Sequence, residues 1–169
     1  LEVGAGCGYQ SAILAELVER VYAVEWVPEL AHRARARLGT LGYANVFLRA
    51  GDGADAWRSE APFDGVLAAA CSEGTPQALL DQVAAGGCLV APADLGEGQR
   101  LYRWQRDPDG VRCRDLGPCR FVPLLGKPPA VGAVIRSLYR RVMAVAGHPR
   151  ASIWLAAVSF AESSFFPVP

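Results

Sequence analysis

The chain opens with the stretch LEVGAGCGYQ, residues 1–10, in which a short strand-like run leads directly into three glycines at alternate positions. Gly4, Gly6 and Gly8 precede a predicted helix, because Tyr9–Arg20 carries apolar residues at helical spacing. Glycines at a strand–helix turn let backbone N–H groups approach a ligand closely. The stretch therefore predicts a strand–turn–helix unit that contains a ligand-binding loop.

Strands and helices alternate downstream of this unit. The further predicted strands are Val21–Val24, Val46–Leu48, Phe63–Ala70 and Cys88–Ala91. The predicted helices are one that starts at Pro28 and stops at Gly39 or Gly42, and Thr75–Val83, which is followed by a turn at Gly86–Gly87. This alternation is typical of βαβ units and a parallel sheet.

From Gln99 the pattern changes to antiparallel strands. These are predicted at Leu101–Gln105, Val111–Asp115 and Arg120–Leu124, with a turn at residues 107–110 between the first two. The predicted fold class is therefore α/β, a doubly wound and mostly parallel sheet with a C-terminal antiparallel hairpin.

Composition limits the class of protein. Of 169 residues, 51% are hydrophobic and 20% are charged, which excludes a disordered chain. Seventeen basic residues balance seventeen acidic ones, so there is no positive field to hold nucleic acid. The five cysteines lack metal-binding or disulfide-framework spacing, which indicates reduced thiols in a cytoplasmic protein and no metal. No apolar run reaches the ~18 residues that a membrane helix needs.

Two carboxylates follow successive predicted strands. Glu25 ends the second strand, seventeen residues past Gly8, and Asp52 follows the third. Open α/β sheets bind ligands at the carboxyl ends of neighbouring strands. Glu25 can there accept hydrogen bonds from both ribose hydroxyls of an adenosine cofactor, and Asp52 can accept one from the adenine amine. The glycines alone would fit a tight turn without a ligand equally well, but two acids in register favour a cofactor.

Other nucleotide sites fit the loop less well. The dinucleotide fingerprint of NAD and FAD enzymes needs a glycine at the third residue after Gly6, and Tyr9 occupies that position. No Gly-Lys-Ser/Thr sequence follows the glycines, which excludes a phosphate-binding P-loop.

Residues 1–10 closely resemble the cofactor loop of the protein-L-isoaspartate O-methyltransferases, including its Tyr-Gln pair. Four further segments resemble this family in the same order: Tyr22–Leu30, Leu41–Val46 with Gly51-Asp52-Gly53, Pro62–Leu80 and Gly117–Leu124. The RFVPL sequence in the last is the most specific, because generic methyltransferases lack it. The resemblance implies a methyltransferase domain with a seven-stranded sheet at residues 1–126, and it leaves 127–169 as a C-terminal extension of unknown role.

The resemblance implies S-adenosyl-L-methionine as methyl donor and the L-isoaspartyl residues of damaged proteins as acceptor, which is a protein-repair reaction. The glycine loop would hold the methionine part, Glu25 the ribose and Asp52 the adenine, while Glu2 would support the loop. The cofactor residues so implied are Glu2, Gly4, Gly6, Gly8, Glu25, Asp52 and Gly53.

The expected acceptor surface is the segment Arg120–Pro123 facing Ala69–Cys71. The substrate-binding residues so expected are Ala69, Ala70, Arg120, Val122 and Pro123. The acceptor carboxylate is already deprotonated at neutral pH, so methyl transfer needs no general base. Both histidines, His32 and His148, lie outside every motif. We therefore assign no catalytic side chain, and the Ser-containing acceptor segment of the family is absent from this sequence.

The sequence departs from the family at three places. Residues Ala69–Glu73 replace the usual Thr-Ala-Ala-Ala-Pro, and residues 127–169 match no family segment. Leu1 starts within a predicted strand without a preceding Met. We therefore expect a fragment that lacks its natural N-terminus and is nearly inactive by itself.

Two alternative functions stay open from the sequence. An RNA methyltransferase would share the cofactor site, with Arg33, Arg35 and Arg37 as a basic patch, although an amphipathic helix with arginines on its wet face explains them more simply. A module that keeps the fold but has lost turnover would fit the departures from the family. The protein is expected to be a monomer, with no nucleic acid or membrane partner.

Overall fold

The computed structural model describes residues 1–126 of the chain. Its helices are α1 Tyr9–Leu17, α2 Pro28–Thr40 and α3 Gln77–Leu80, and a 3-10 turn spans Arg58–Glu60. Its strands are β1 Glu2–Val3, β2 Val21–Glu25, β3 Val46–Ala50, β4 Phe63–Ala68, β5 Ser72–Glu73, β6 Val83–Asp94, β7 Gln99–Asp107 and β8 Gly110–Pro118. The expected C-terminal extension, 127–169, lies outside the described residues.

The strands form one mixed sheet in the order β3-β2-β1-β4-β6-β7-β8, with β5 paired to β6. The pairs among β1, β2, β3, β4 and β6 are parallel, whereas β6–β7 and β7–β8 are antiparallel. This arrangement confirms the mostly parallel α/β sheet and its C-terminal antiparallel hairpin. The residues 108 and 109 connect β7 to β8 at the predicted turn, where Asp107 pairs with Gly110.

The core consists of two apolar clusters on opposite faces of the sheet. Val24 packs with Leu79 and Leu80 of α3, whereas its neighbour Ala23 packs with Ala34 and other residues of α2. Successive residues of a strand face opposite sides, so these two clusters cover both faces of the parallel part. The helices on both sides confirm the doubly wound arrangement.

The segment between α3 and β6 differs from the prediction. The helix ends at Leu80, and Gly86–Gly87 lies inside β6 instead of forming a turn before it. A Cβ atom on Gly87 would lie 2.6 Å from the carbonyl oxygen of Asp64, so glycine is needed for this close approach of β6 to β4. The pairing of the two strands also shifts register between Phe63 and Gly65. The prediction failed because a pair of glycines is also typical of a turn, whereas here the two glycines permit an irregular pairing of strands.

The predicted strand Arg120–Leu124 is wrong. Only Pro123 takes part in strand-like pairing, through an isolated parallel bridge to Cys71. The physical reason is that Pro123 has no N–H group to donate to a ladder, which disfavours a continuous paired strand through this apolar segment. The segment is nevertheless attached to the sheet at Cys71, next to the carboxyl end of β4.

Candidate functional site

The loop between β1 and α1 owes its shape to its glycines. Gly4, Gly6 and Gly8 have φ values of 90°, 54° and 85°, in the left-handed region that favours glycine. The N–H groups of Gly4 and Ala5 both donate to the carbonyl oxygen of Val24, at 2.8 and 3.1 Å. The loop is therefore joined to the end of β2, and the chain turns back from there into α1.

The three glycines have different surroundings. A Cβ atom on Gly8 would lie 3.3 Å from the Ala34 side chain, so this glycine lets α1 start close to α2. A Cβ atom on Gly4 would contact Ala69 at 3.6 Å, whereas one on Gly6 would have no atom within 4 Å. The side of Gly6 where a Cβ atom would lie is thus open, which leaves room for a ligand to approach.

Glu25, the last residue of β2, binds this loop directly. Its Oε2 atom accepts a hydrogen bond from the Gly6 N–H at 2.8 Å, and its Oε1 atom accepts one from the Val27 N–H at 2.9 Å. The residue is only 7% exposed. A carboxylate has about four lone-pair sites, so each oxygen keeps capacity for a further donor. Two features predicted separately from the sequence, the glycine loop and Glu25, are therefore in contact.

Glu2 lies beneath the same loop and is completely buried. The Ser11 hydroxyl, also buried, donates a hydrogen bond to Glu2 Oε2, which joins β1 to the first turn of α1. The Oε1 atom has no hydrogen-bond partner among the described residues. Burial raises the pKa of the Glu2 carboxyl above its ordinary value, and the hydrogen bond from Ser11 opposes this shift. The sequence reasoning missed Ser11, although a serine within the apolar pattern of α1 was a usable signal.

Asp52 and Gly53 follow β3 at the neighbouring strand end. The Asp52 Oδ1 atom accepts a hydrogen bond from the Ala54 N–H at 2.9 Å, which fixes a tight turn. A Cβ atom on Gly53 would lie 2.5 Å from Val3 Cγ1, so only glycine allows this turn to pack on β1. A cavity of about 280 Å³ adjoins both residues, with residues 76–79 and 124–126 forming the remaining walls.

The expected acceptor residues lie beside the glycine loop. The Ala69 N–H donates to the Val3 carbonyl oxygen at 2.9 Å, next to Gly4. Cys71 holds the RFVPL segment with two backbone hydrogen bonds of 2.7 Å, one from its N–H to Val122 and one to its carbonyl oxygen from Leu124. The exposed residues of the segment are Arg120, Phe121, Val122 and Pro123. The structure thus connects the two regions that the sequence assigned to cofactor and acceptor.

The three arginines of α2 have individual partners in the structure. Arg33 forms an ion pair with Glu29 at 2.8 Å, and Arg35 donates to the Leu48 carbonyl oxygen through Nε at 2.9 Å. Arg37 donates to the carbonyl oxygen of Cys7, inside the glycine loop, at 2.5 Å. Each of these three arginines therefore has a hydrogen-bond partner within the fold.

Other features of residues 1–126 lie away from this site. A larger cavity, about 630 Å³, is lined by Val21, Tyr22, Phe63 and Asp64 among others, near the amino ends of the strands. It is opposite to the edge where open α/β sheets bind ligands. In the described part of the chain, no cluster of His, Cys, Asp and Glu residues could hold a metal ion. No helix there has the length and apolarity that a membrane crossing requires.

Known proteins share the sequence of this region. The family described as Protein-L-isoaspartate(D-aspartate) O-methyltransferase matches residues 1–128. Protein-L-isoaspartate O-methyltransferase 2 of Geotalea uraniireducens is 51% identical over 128 residues, which cover 75% of this chain and 59% of that protein. Protein-L-isoaspartate O-methyltransferase 1 of Syntrophobacter fumaroxidans is 48% identical over 127 residues, again 75% and 59% of the two lengths. The chain thus spans about three-fifths of the length of these curated relatives.

Solved structures share the fold. One described as a protein-L-isoaspartate O-methyltransferase has a TM-score of 0.68 at 23% identity, over 74% of this chain and 41% of that one. A Plasmodium falciparum structure described as a protein-L-isoaspartate O-methyltransferase in complex with S-adenosyl-L-homocysteine has a TM-score of 0.64 at 23% identity, over 75% and 65% of the two chains. With the family match over residues 1–128 and the two relatives near 50% identity, the chain belongs to the protein-L-isoaspartate(D-aspartate) O-methyltransferase family.

Proposed function

We propose that this chain is part of a protein-L-isoaspartate O-methyltransferase, which methylates the free carboxylate of L-isoaspartyl residues in damaged proteins. The observation that carries the proposal is the contact of Glu25 with the Gly6 N–H at the carboxyl ends of β1 and β2. A buried carboxylate held against an open glycine loop is suited to an adenosine-containing ligand, and the family membership specifies which one.

The cofactor of the proposed reaction is S-adenosyl-L-methionine, which supplies an electrophilic methyl group on a sulfonium. The chain fits it because the space beside Gly6 is open and Glu25 keeps lone pairs for two ribose hydroxyls. Asp52 and Gly53 border the cavity that would take the adenine. Glu2 would support the loop, because its hydrogen bond with Ser11 fixes the start of α1. The proposed cofactor residues are Glu2, Gly4, Gly6, Gly8, Glu25, Asp52 and Gly53.

The residues around the loop would act by positioning. Since an acceptor carboxylate is charged at neutral pH, no side chain has to remove a proton from it. The rate enhancement would come from alignment of the carboxylate with the methyl group and from exclusion of water. Ala69 adjoins Gly4, and Cys71 holds Val122, so the acceptor segment and the cofactor loop share one rigid support. Ala69, Ala70, Arg120, Val122 and Pro123 are the proposed acceptor residues.

The remaining parts of the proposal concern the whole protein. Residues 1–126 would be its cofactor-binding domain and 127–169 an extension of unknown role. The protein would be a cytoplasmic monomer. The balance of seventeen basic and seventeen acidic residues agrees with the proposal that neither nucleic acid nor a membrane surface is its partner.

The test uses a pair of peptides that differ only in the linkage of one residue. The full-length protein should methylate an L-isoaspartyl peptide and leave its L-aspartyl isomer nearly unmethylated, because a site that fixes the peptide backbone aligns only one carboxylate. A displacement of about 1 Å can cost roughly 100-fold in rate. Transfer of radiolabelled methyl groups to each peptide measures the ratio of the two methylation rates.

Three results would contradict the proposal in different ways. Equal labelling of the two peptides would remove the isoaspartyl specificity. Labelling of RNA alone would support the alternative RNA methyltransferase. Cofactor binding without labelling of any acceptor would support a non-catalytic module.

A further inference from the structure

The exposed residues 120–123 owe little of their position to burial, whereas Leu124 after them packs against the core. Phe121 is 38% exposed and Val122 is 68% exposed, and Arg120 and Pro123 are also exposed. Side chains in water contribute little packing energy to hold a backbone in one place. The backbone position of residues 120–123 therefore depends largely on hydrogen bonds to the elements beside them.

Two residues provide these hydrogen bonds. Cys71 pairs with Val122 and Leu124, as described above, and fixes the far half of the segment. Gln99 fixes the near half twice. Its carbonyl oxygen accepts a hydrogen bond from the Cys119 N–H at 3.1 Å, and its side-chain Oε1 atom accepts one from the Phe121 N–H at 2.7 Å.

The backbone of Gln99 is held in the sheet, so its side chain has a fixed base from which to hold the segment. Gln99 is the first residue of β7 and pairs with Asp94, the last residue of β6, so its backbone belongs to the sheet. Its side chain bridges from this rigid strand to the backbone of an exposed segment. The bond reaches across 22 positions of sequence. No local turn preference would create it.

We propose that Gln99 is a positioning residue for the acceptor peptide, because its side-chain oxygen sets the backbone position of Arg120–Pro123. This inference rests on the proposed function, which assigns the acceptor to that segment. Gln99 itself would touch neither the acceptor nor the cofactor. Its loss should weaken recognition of the peptide while cofactor binding stays unchanged.

The experiment compares three variants of the full-length protein. Gln99→Met removes the acceptor oxygen and keeps the length of the side chain, whereas Gln99→Glu keeps an oxygen that can accept from the Phe121 N–H. Gln105→Met is the matched control, since Gln105 lies on the same strand but donates to the Gly86 and Gly87 carbonyl oxygens instead. Loss of one hydrogen bond predicts a rise of about two- to tenfold in KM for an L-isoaspartyl peptide with Gln99→Met.

Three outcomes support the proposal together. KM for the peptide rises with Gln99→Met but not with Gln99→Glu or Gln105→Met, while titration with S-adenosyl-L-homocysteine gives equal affinities for all variants. Amide hydrogen exchange within residues 119–124 of the protein becomes faster only with Gln99→Met. A general loss of structure would instead alter cofactor affinity and exchange throughout the sheet.

Other outcomes overturn it. Equal KM values for Gln99→Met and Gln105→Met would show that the bond does not influence the acceptor. Equal exchange at residues 119–124 would show that Gln99 does not hold the segment. If the wild-type protein methylates no isoaspartyl peptide, the proposed function fails, and hydrogen exchange still decides whether Gln99 holds the segment.

Discussion

The Glu25 carboxylate combines support of the loop with a proposed contact to the ligand. Its hydrogen bonds to the Gly6 and Val27 N–H groups hold the glycine loop and the residues that follow β2 in place before any ligand binds. Preorganised donors and acceptors lose little conformational freedom on binding, which favours affinity. Replacement of Glu25 should therefore have a larger effect on binding than replacement of any exposed acid nearby.

Glu29 provides the matched comparison, because it lies four residues further along the chain and pairs with Arg33 on the exposed side of α2. We expect Glu25→Ala to weaken S-adenosyl-L-methionine binding by about 1.5–3 kcal/mol, the range for hydrogen bonds to a charged group. Glu29→Ala should leave the affinity almost unchanged. Titration calorimetry on the full-length protein measures both, and equal effects would remove Glu25 from the site.

Single residues also show where sequence reasoning succeeds. The places of Glu25 and Asp52 at neighbouring strand ends were predictable, because parallel strands bring their carboxyl ends to one edge of the sheet. Ser11 and Gln99 were not predicted. Their roles depend on side-chain contacts with Glu2 and Phe121 that no periodicity encodes.

Among the secondary-structure elements, those with strong local signals agree best with the prediction. Helix α2 starts at Pro28 as expected and ends at Thr40, between the two predicted stops. Helix α1 ends three residues before Arg20, and its apolar residues Ile13 and Leu17 are 45% and 74% exposed. Helical spacing therefore predicted the element but not which side of it is buried. The errors at Gly86–Gly87 and at Arg120–Leu124 arose because backbone packing between strands overrode local preference.

A pair of glycines in different elements allows a direct test of this packing. Gly53→Ala should destabilise the fold by about 1–3 kcal/mol, because its Cβ atom would overlap the Val3 side chain. Gly39→Ala, in α2, should stabilise it by about 0.5–1 kcal/mol, because alanine is the better helix former and no atom lies within 4 Å of the added Cβ. Urea denaturation gives both values, and a change of the same sign in the two variants would contradict the packing argument.

The buried Glu2 carboxyl links the stability of the fold to pH. Burial raises its pKa in the folded chain above the ordinary value of 4.5, so the folded state holds the proton at pH values where the unfolded state has released it. The contribution of Glu2 to stability therefore falls as the pH rises from the ordinary pKa to the raised one, and it stays low above that.

The Glu2→Gln variant isolates this contribution, because its amide oxygen can still accept the Ser11 hydrogen bond. We expect the free energy of unfolding of Glu2→Gln, relative to wild type, to increase with pH across that window. Urea denaturation between about pH 4 and about pH 8 measures the difference. Glu29→Gln is the exposed control and should show no such trend. If the free energies of unfolding of wild type and Glu2→Gln changed in parallel with pH, the buried carboxyl would not be desolvated.

Strand β6 also limits how this molecule could be rebuilt from parts. Leu89 pairs with Val66 of β4 on one side and with Trp104 of β7 on the other, so a single strand joins the parallel half to the hairpin. A designer who transplants the hairpin and the RFVPL segment onto another sheet of this kind would have to transplant β6 and its irregular pairing with β4 as well. The hairpin therefore cannot be exchanged by itself, and the smallest unit that can be grafted starts at β4.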